Sequence, residues 1–496
     1  MTLPAIDKQE DKVKLNSRQQ LLDYLISSYQ KKTQKSKILS ASSRDVLADK
    51  SSIGIRFNQE TKEICYPICV KQAQGSSLID VDNNKYIDVL MGLGTHLFGH
   101  QPGFIKDAID KQLASGFAIG PQHPLVGETA SLVSHLTGME RVSFSNTGTE
   151  AVMTAIRVAR SAHRGQKIAI FTNSYHGHMD DALVRAPISE YARKKLLKKL
   201  GNPELLKYTL DKFSRYKAVP AFPGVSKATA TETIVLEYGS KRSLDIIKKQ
   251  RRQLAAVLVE PVQSRMPELQ PAEFLHELRN LTNQYDIALI FDEMVTGFRV
   301  AAGGAQEYFG IRADIATYSK IVGGGLPLSV IAGCKRYMDH IDGGTWKFGD
   351  ESKPDTPTTF FAGTFSKHPL SLACSNAVLT HIKTCGPALY SDLENKTISL
   401  VERLNKYCDQ NFYPLTFVQY GSFFSIAMSK SNLTNEVPLL LSYLMLIKGI
   451  HMRVGDRGGF ISTEHSVHDI DNIYLAFCAS LDALIEAKII QAENSE

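Results

Sequence analysis

Ile315-Ala316-Thr317-Tyr318-Ser319-Lys320-Ile321-Val322-Gly323-Gly324-Gly325-Leu326-Pro327 places a lysine at the end of a short apolar run and just before a triple glycine. β-Branched and aromatic residues closed by Ser, then punctuated by Gly and Pro, predict a strand over Ile315–Ser319 that enters a turn. An amine there is oddly placed for solvation. Taken alone it reads best as a snorkelling surface side chain; desolvated, it reads as a nucleophile that condenses with a carbonyl. Twenty-eight residues earlier, Ala288-Leu289-Ile290-Phe291 ends in Asp292-Glu293-Met294-Val295-Thr296-Gly297. A carboxylate behind four apolar residues needs a cation or strong donors if it is buried. The Asp-Glu pair also suggests the acidic partner of a nucleotide phosphate loop, but the chain contains no G-x-x-x-x-G-K-[ST], which argues against an ATPase.

Strands further out end in equally uncommon polar residues, and ligands of open α/β sheets sit at such carboxyl ends. Ala256-Val257-Leu258-Val259 ends in Glu260-Pro261-Val262-Gln263, and Ile168–Phe171 leads into Asn173-Ser174-Tyr175-His176-Gly177-His178-Met179-Asp180-Asp181. An aromatic beside a glycine can stack on a planar ring. His176-x-His178-x-Asp180 also resembles the opening of a dinuclear zinc metallohydrolase site, since two imidazoles and a carboxylate are sound zinc ligands. The next position that such sites fill with His is Asp181 here, and no later His-rich strand end supplies the missing ligands. Arg141–Ser145 runs into Asn146-Thr147-Gly148-Thr149-Glu150 and then a strong helix former. That turn is an ordinary Thr N-cap or a phosphate site made of free N–H groups and the helix dipole. Together, a phosphate turn, a stacking aromatic, a buried carboxylate and a buried lysine match one cofactor, pyridoxal 5'-phosphate. The lysine would form its Schiff base, and the aspartate would pair with the pyridinium nitrogen.

Between about residues 100 and 345, strands predicted at Arg141–Ser145, Lys167–Phe171, Thr233–Glu237, Ala255–Glu260, Ile287–Asp292 and Ile315–Ser319 alternate with longer helical stretches. Continuous apolar runs of this kind suit strands buried on both faces of a mainly parallel sheet, with helices as crossovers: an α/β fold. Leu78, Ile79 and Val81, the turn Asp82-Asn83-Asn84, then Tyr86, Ile87 and Val89 predict a hairpin. Residues 1–50 carry ten bases and six acids, and Leu21, Leu22, Leu25 and Ile26 fall at helical spacing, which reads as an exposed, basic, amphipathic arm.

Composition bounds the rest. With 43% hydrophobic and 22% charged residues over 496, the chain is not disordered as a whole. A net charge of +6 is too dilute to imply a nucleic-acid partner. Seven cysteines form no paired framework and no C-x-x-C pairs of a zinc ribbon, which suggests a reduced, cytoplasmic setting and no bound metal. Asp7, Lys8, Glu10 and Asp11 mix charges where a secretory signal would be basic and then apolar. The longest apolar stretch, Val437–Ile447, is eleven residues broken by Pro438 and Ser442, against the roughly 20 of a spanning helix, so no membrane partner is expected.

The segments Asn146–Glu150, Tyr175-His176-Gly177, Glu260-Pro261-Val262, Asp292-Glu293-x-Val295-x-x-Gly297 and Ser319-Lys320-x-x-Gly323-Gly324-Gly325-x-Pro327 resemble the class III aminotransferases of the fold-type I pyridoxal phosphate family, in order and spacing, from about residue 50 onward. Within that class the chain is similar to the glutamate-1-semialdehyde aminomutase branch. A narrower likeness is to the aminotransferase domains of hybrid polyketide and nonribosomal peptide synthases, carried by Ile341-Asp342-Gly343-Gly344-x-Trp346-x-x-Gly349-Asp350, by Thr358–Pro369 and by the N-terminal arm. The resemblance implies a large domain with helices on both faces of its sheet and a smaller α+β domain from both chain ends. The division expected is a basic arm at 1–50, part of the small domain at 51–100, the cofactor-binding domain at 101–345, and an interface segment with the C-terminal small domain at 346–496.

Residue by residue, the resemblance implies that Lys320 carries the cofactor and is the general base. Asp292 keeps the pyridinium nitrogen protonated, and Val295 and Tyr175 cover the two ring faces, with His176 beside them. Thr147, Gly148 and Thr149 bind the phosphate, and Thr364, after Gly363, reaches it across a homodimer interface. Glu260 and Gln263 support the ring edge. Aminomutases of this branch carry a gating Glu where this chain has Arg457, in Asp456-Arg457-Gly458-Gly459-Phe460. That departure favours a two-substrate transaminase, with Arg457 or Arg453 a clamp for a donor carboxylate or simply a solvated surface residue. The donor expected is glutamate, glutamine or alanine. The acceptor expected is a β-ketoacyl chain on an acyl carrier protein in secondary metabolism, or else a free aldehyde or small keto compound. Arg193, Lys194, Lys195, Lys198, Lys199, Lys207, Lys212, Arg215 and Lys217, with Leu196, Leu197 and Leu200 interleaved, make either a solvated face or a dock for an acidic carrier protein.

Overall fold

Every residue from Leu254 to Val259 is buried, which is why this run is a strand with no in/out alternation: both of its faces are covered. The same holds for Thr233–Leu236, Ala288–Asp292, Ile315–Tyr318 and Ser329–Gly333. The computed structural model describes residues 16–49, 57–187, 199, 218–431, 433–434 and 436–491. Of the basic insertion between Arg193 and Lys217, only Lys199 lies within the described residues.

The main sheet has seven strands: β1 (Arg141–Ser145), β2 (Lys167–Phe171), β3 (Thr233–Leu236), β4 (Leu254–Val259), β5 (Ala288–Asp292), β6 (Ile315–Tyr318) and β7 (Ser329–Gly333). They lie in the order β3-β2-β4-β5-β6-β7-β1. Pairing is parallel from β3 through to β6, while β7 is antiparallel to both β6 and β1. The helix Gly148–Ala162 follows β1, and its buried stripe of Ala151, Val152, Ala155, Ile156, Val158 and Ala159 packs on Ile168, Ile170, Leu258, Ile290, Ile315 and Ile331. Alanines on that stripe let the helix approach the sheet closely.

Two corrections concern local structure. β7 was not expected: Leu328–Ala332 is apolar save for Ser329, but it closely follows the glycine turn and is too short for periodicity to separate strand from connection. β3, β4 and β6 also stop one residue before Glu237, Glu260 and Ser319, so these polar groups begin the loops beyond the strands.

The chain divides into two compact units, Asp107–Gly386 and, from both ends of the chain, Met1–Lys106 with Pro387–Glu496. The first runs past the expected limit at residue 345, because the helix Pro369–Cys385 packs on the helix Leu125–Thr137 and on the turn Lys320–Gly323. In the second unit the expected hairpin pairs Ser77–Asp80 with Lys85–Asp88. The N-terminal helix Arg18–Lys32 is no free arm: Leu21, Leu22, Leu25 and Tyr29 are buried in one core with Tyr86, Leu440, Tyr443, Phe477 and Leu481. The Tyr29 hydroxyl donates to the Tyr66 carbonyl at 3.1 Å, and that of Tyr443 to the Ile64 carbonyl at 2.8 Å.

This unit has one buried ionic hub. Asp88 accepts from His100 Nε2 at 2.8 Å, His451 Nδ1 at 2.7 Å, and the Leu90 and Met91 amides at 3.0 and 3.2 Å. Burial opposes its charge, but the two imidazoles outweigh burial and hold its pKa well below the usual carboxylate range. Among the described residues no helix is long and apolar enough to cross a membrane, and all seven cysteines are free thiols.

Candidate active site

Asp292 is the last residue of β5 and is 2% exposed. Its Oδ2 lies 2.7 Å from Nδ1 of His176, itself 2% exposed, and its Oδ1 accepts the Met294 amide at 3.1 Å. His176 sits in the loop after β2, and Nε2 of its ring is buried without a partner. The preceding residue is anchored from the end of β4: Glu260 accepts the Tyr175 amide at 2.9 Å and the Ser264 hydroxyl at 3.1 Å. Burial raises the pKa of Glu260, and the Asp292 carboxylate adds to that rise, while His176 works against it.

Lys320 follows β6 and opens the tight turn Lys320–Gly323 at φ +53°. That left-handed conformation costs an L-residue roughly 1 kcal/mol, and strain of this kind gathers at functional sites. Burial lowers the pKa of the amine, the Asp292 and Glu260 carboxylates pull it back up, and Arg299 pushes it down again. The strand ends of β2, β4, β5 and β6 thus bring His176, Glu260, Asp292 and Lys320 into one electrostatic cluster.

Around the cluster, Thr147 caps the helix Gly148–Ala162 in a reciprocal box: its hydroxyl accepts the Glu150 amide at 3.2 Å and Glu150 accepts the Asn146 amide at 2.7 Å. The cap and the phosphate-turn readings are compatible, since an accepting hydroxyl keeps its own hydrogen to donate. A Cβ on Gly148 would stand 2.8 Å from Met294 Sδ, and one on Gly177, at φ +86°, would stand 2.5 Å from Thr149 Oγ1. The Tyr175 ring is 52% exposed, with the Arg265 guanidinium 5.6 Å from its centroid. Val295 is half-buried, and its carbonyl accepts from Arg299 Nε at 3.0 Å. Gln263 is wholly buried; its Nε2 donates to the Thr172 carbonyl at 2.8 Å, and its Oε1 has no partner. Gly363 and Thr364 are exposed in the same unit, and a Cβ on Gly363 would come within 3.8 Å of Asn146 Nδ2.

Arg453 and Arg457 belong to the other unit, where Arg457 donates to the Ile426 carbonyl at 3.0 Å and Arg453 lies 4.0 Å from Asp456. His178 does not join His176 on a common point; its Nδ1 is 3.2 Å from Thr149 Oγ1. Among the described residues no group of three or more His, Cys, Asp or Glu side chains could hold a metal ion.

Sequence reasoning passed over two buried ionisable groups. Glu293, fully buried, accepts from the Thr296 hydroxyl and from the Ala305 and Gln306 amides at 2.9 and 3.0 Å, and burial raises its pKa to about 7. Arg299 is 2% exposed, and burial lowers its pKa to about 9. Glu293 was visible only as the second half of an Asp-Glu pair; nothing in the local sequence marks an arginine as buried.

The class-III aminotransferase family profile matches residues 58–461. The glutamate-1-semialdehyde 2,1-aminomutase of Ruminiclostridium cellulolyticum is 34% identical over 82% of this chain and 88% of its own. That of Alkaliphilus oremlandii is 33% identical over 84% and 92%. Among solved structures, an omega-transaminase from Sphaerobacter thermophilus superposes with a TM-score of 0.76 at 24% identity, over 90% of this chain and 97% of its own. A glutamate-1-semialdehyde aminomutase from Pseudomonas aeruginosa does so at 0.77 and 19%, over 96% and 99%. The site and fold define a pyridoxal 5'-phosphate-dependent transaminase with a fold-type I architecture. The chain belongs to the class-III aminotransferase family. Its residues fit the cofactor: a helix N-terminus for phosphate, a buried aspartate facing a lysine amine, and two buried polar atoms, His176 Nε2 and Gln263 Oε1, with bonding capacity left over.

Proposed function

We propose that this chain moves an amino group from glutamate, glutamine or alanine to the ketone of a β-ketoacyl chain held on an acyl carrier protein, as a homodimer. The observation that carries transamination is the cluster in which Lys320, at a strand end and lowered in pKa by burial, faces the paired Asp292 and His176. When bound, pyridoxal 5'-phosphate supplies the electron sink and the carbonyl carbon that takes up nitrogen. Lys320 Nζ, whose proton affinity burial reduces, accepts and returns the substrate proton. Asp292 holds a proton on the ring nitrogen, Tyr175 and Val295 cover the ring faces, and Glu260 and Gln263 steady its edge. Thr147, Gly148 and Thr149 take the phosphate, with Thr364 of a second copy completing that site. The exposed Phe348, Phe360 and Phe365, at 91%, 78% and 57%, support a second copy, since runs of exposed aromatics mark interfaces. Arg453 or Arg457 clamps the donor carboxylate.

The carrier-bound acceptor is supported by Arg457 standing in place of a gating glutamate and by the segments Ile341–Asp350 and Thr358–Pro369. A second reading, the 2,1-aminomutase, is favoured by the names of relatives 33–34% identical. One experiment separates them. The cofactor-loaded protein is given glutamate with a carrier-bound β-ketoacyl substrate, or glutamate-1-semialdehyde alone. Amine on the carrier, abolished in Lys320→Ala together with the visible cofactor band, is the expected result; 5-aminolevulinate from the semialdehyde alone would establish the aminomutase.

A further inference from the structure

Arg265 is exposed, yet the chain on either side of it is tied down. Glu260, buried at the end of β4, accepts the Ser264 amide at 3.4 Å and the Ser264 hydroxyl at 3.1 Å on one oxygen, and the Tyr175 amide at 2.9 Å on the other. Gln263 Nε2 donates to the Thr172 carbonyl at 2.8 Å, and the Met266 amide donates to the Gln263 carbonyl at 2.9 Å. Residues 260–266 and 172–175 are thereby laced together, and the Arg265 guanidinium comes to lie 5.6 Å from the centroid of the Tyr175 ring. That is within the ~6 Å over which a ring face attracts a cation, and contact with a ring face uses none of the five N–H donors of a guanidinium. The other cations of the site are placed differently. Arg299 is 2% exposed, with its Nε on the Val295 carbonyl, and Lys320 is committed to the cofactor in the reading above. Arg453 and Arg457 belong to the other unit.

We infer that Arg265 is a substrate-binding residue: its guanidinium, seated on the Tyr175 ring, receives the α-carboxylate of the amino donor. This rests on the functional reading above and deepens it, adding to the clamp proposed at Arg453 or Arg457 a cation from the unit that holds Lys320 itself. The ligand class follows from the chemistry. A planar fork of N–H donors matches the two oxygens of a carboxylate, and the α-carboxylate is the one anionic group that glutamate, glutamine and alanine share. The tethers on Ser264 and Met266 fix the loop before a ligand arrives, so binding orders little more than the side chain itself. The plainer role, a cation that only steadies Tyr175, differs in one respect: a neutral side chain that packs on the ring would serve it as well, and methionine packs on aromatic rings.

The test uses the cofactor-loaded wild type, Arg265→Met and Arg265→Lys. Calorimetry measures binding of glutarate, which has the carboxylates of glutamate without its amine, and of glutaramide, its neutral diamide. Losing charge-assisted hydrogen bonds should weaken glutarate about tenfold or more in Arg265→Met, while glutaramide binding and the dissociation constant for pyridoxal 5'-phosphate, read by equilibrium dialysis, stay near wild type. Arg265→Lys, which keeps the charge without the fork, should recover part of the loss. In turnover, Arg265→Met should raise KM by a similar factor for glutamate, glutamine and alanine, whichever of them the wild type uses, with kcat within about twofold, the pattern of lost ground-state binding. If Arg265→Met does not fold, Arg265→Gln takes its place with the same expectation. Unchanged glutarate binding, equal weakening of glutarate and glutaramide, a loss of cofactor affinity in step with the loss of glutarate, or a KM effect confined to glutamate would overturn the inference. A wild type that holds the cofactor and transaminates none of the three donors would overturn the functional reading with it.

Discussion

Glu293 offers a test of how the larger unit tolerates a buried acid next to its candidate catalytic aspartate. Its pKa rises from the ordinary 4.5 to about 7; at about 1.4 kcal/mol for each tenfold change in proton affinity, that corresponds to about 3 kcal/mol. Because the folded value is the higher one, the folded chain binds more protons than the unfolded chain between these limits. The stabilisation is therefore complete below about pH 4.5 and lost as the pH rises through about 7. Glu293→Gln removes the titration while an amide oxygen still accepts from the Ala305 amide. A unit of this size melts about 2 °C lower for each kcal/mol lost, so the melting temperature of Glu293→Gln minus that of the wild type should climb by about 6 °C between pH 5 and pH 8.5. Differential scanning fluorimetry at saturating pyridoxal 5'-phosphate reads this directly, and other titrating groups cancel in the difference. A difference constant to within a degree across that range would refute the reasoning and show that water or a local shift relieves the buried charge.

Asp88→Asn in the smaller unit should lower the melting temperature by several degrees at pH 7, because one imidazole loses its acceptor and breaking a buried pair costs about 3–5 kcal/mol. Since the folded pKa of Asp88 is lowered, that penalty is present above the usual carboxylate range and shrinks as the pH falls; a penalty independent of pH would contradict it. Mixing inactive Lys320→Ala and Thr364→Ala chains should restore part of the activity through heterodimers with one intact site. No recovery despite proven subunit exchange would mean that each site is built within one chain. Reversing Lys194, Lys195, Lys198 and Lys199 to Glu should raise KM for the carrier-bound ketoacyl substrate and spare small-molecule transamination, an effect that salt should mask because exposed charges are screened beyond about 8 Å. Equal kinetics at low salt would shift weight to a free aldehyde or ketone acceptor.

The sheet was legible because its strands are buried on both faces and so write themselves as unbroken apolar runs. Leu254–Val259 and Ala288–Phe291 show it best, each followed at once by a carboxylate that needs a partner if it is buried. Asp292 and Lys320 stood out for that reason. Their partners did not, because contact at a strand end is set by how the strands are ordered in space, and His176 lies 116 residues from Asp292 in the chain. Glu293 gets its donors from Ala305 and Gln306, which only the turn at Gly304, with φ +72°, brings round. The helix Arg18–Lys32 showed its stripe of leucines but not what they cover, since amphipathicity specifies a face and leaves the surface opposite it unnamed. β7 was hidden for a different reason: five residues are too few to declare a period.

The smaller unit draws its core from both ends of the chain, and this has a consequence for how the protein is made. Leu21, Leu22, Leu25 and Tyr29 share that core with Val437, Tyr443, Phe477 and Leu484, and roughly 400 residues of synthesis separate the two sets. At about 5–20 residues per second, the N-terminal helix leaves the ribosome about 20–80 s before its C-terminal core partners exist, with only the stretch around Ile64, Tyr66 and Tyr86 available to it earlier. Over that interval the contiguous stretch Asp107–Gly386 can complete its sheet, while the leucine stripe waits exposed. Such a chain needs a holdase early and folds last where it was made first, and any truncation ahead of Val437 strands the apolar face for good.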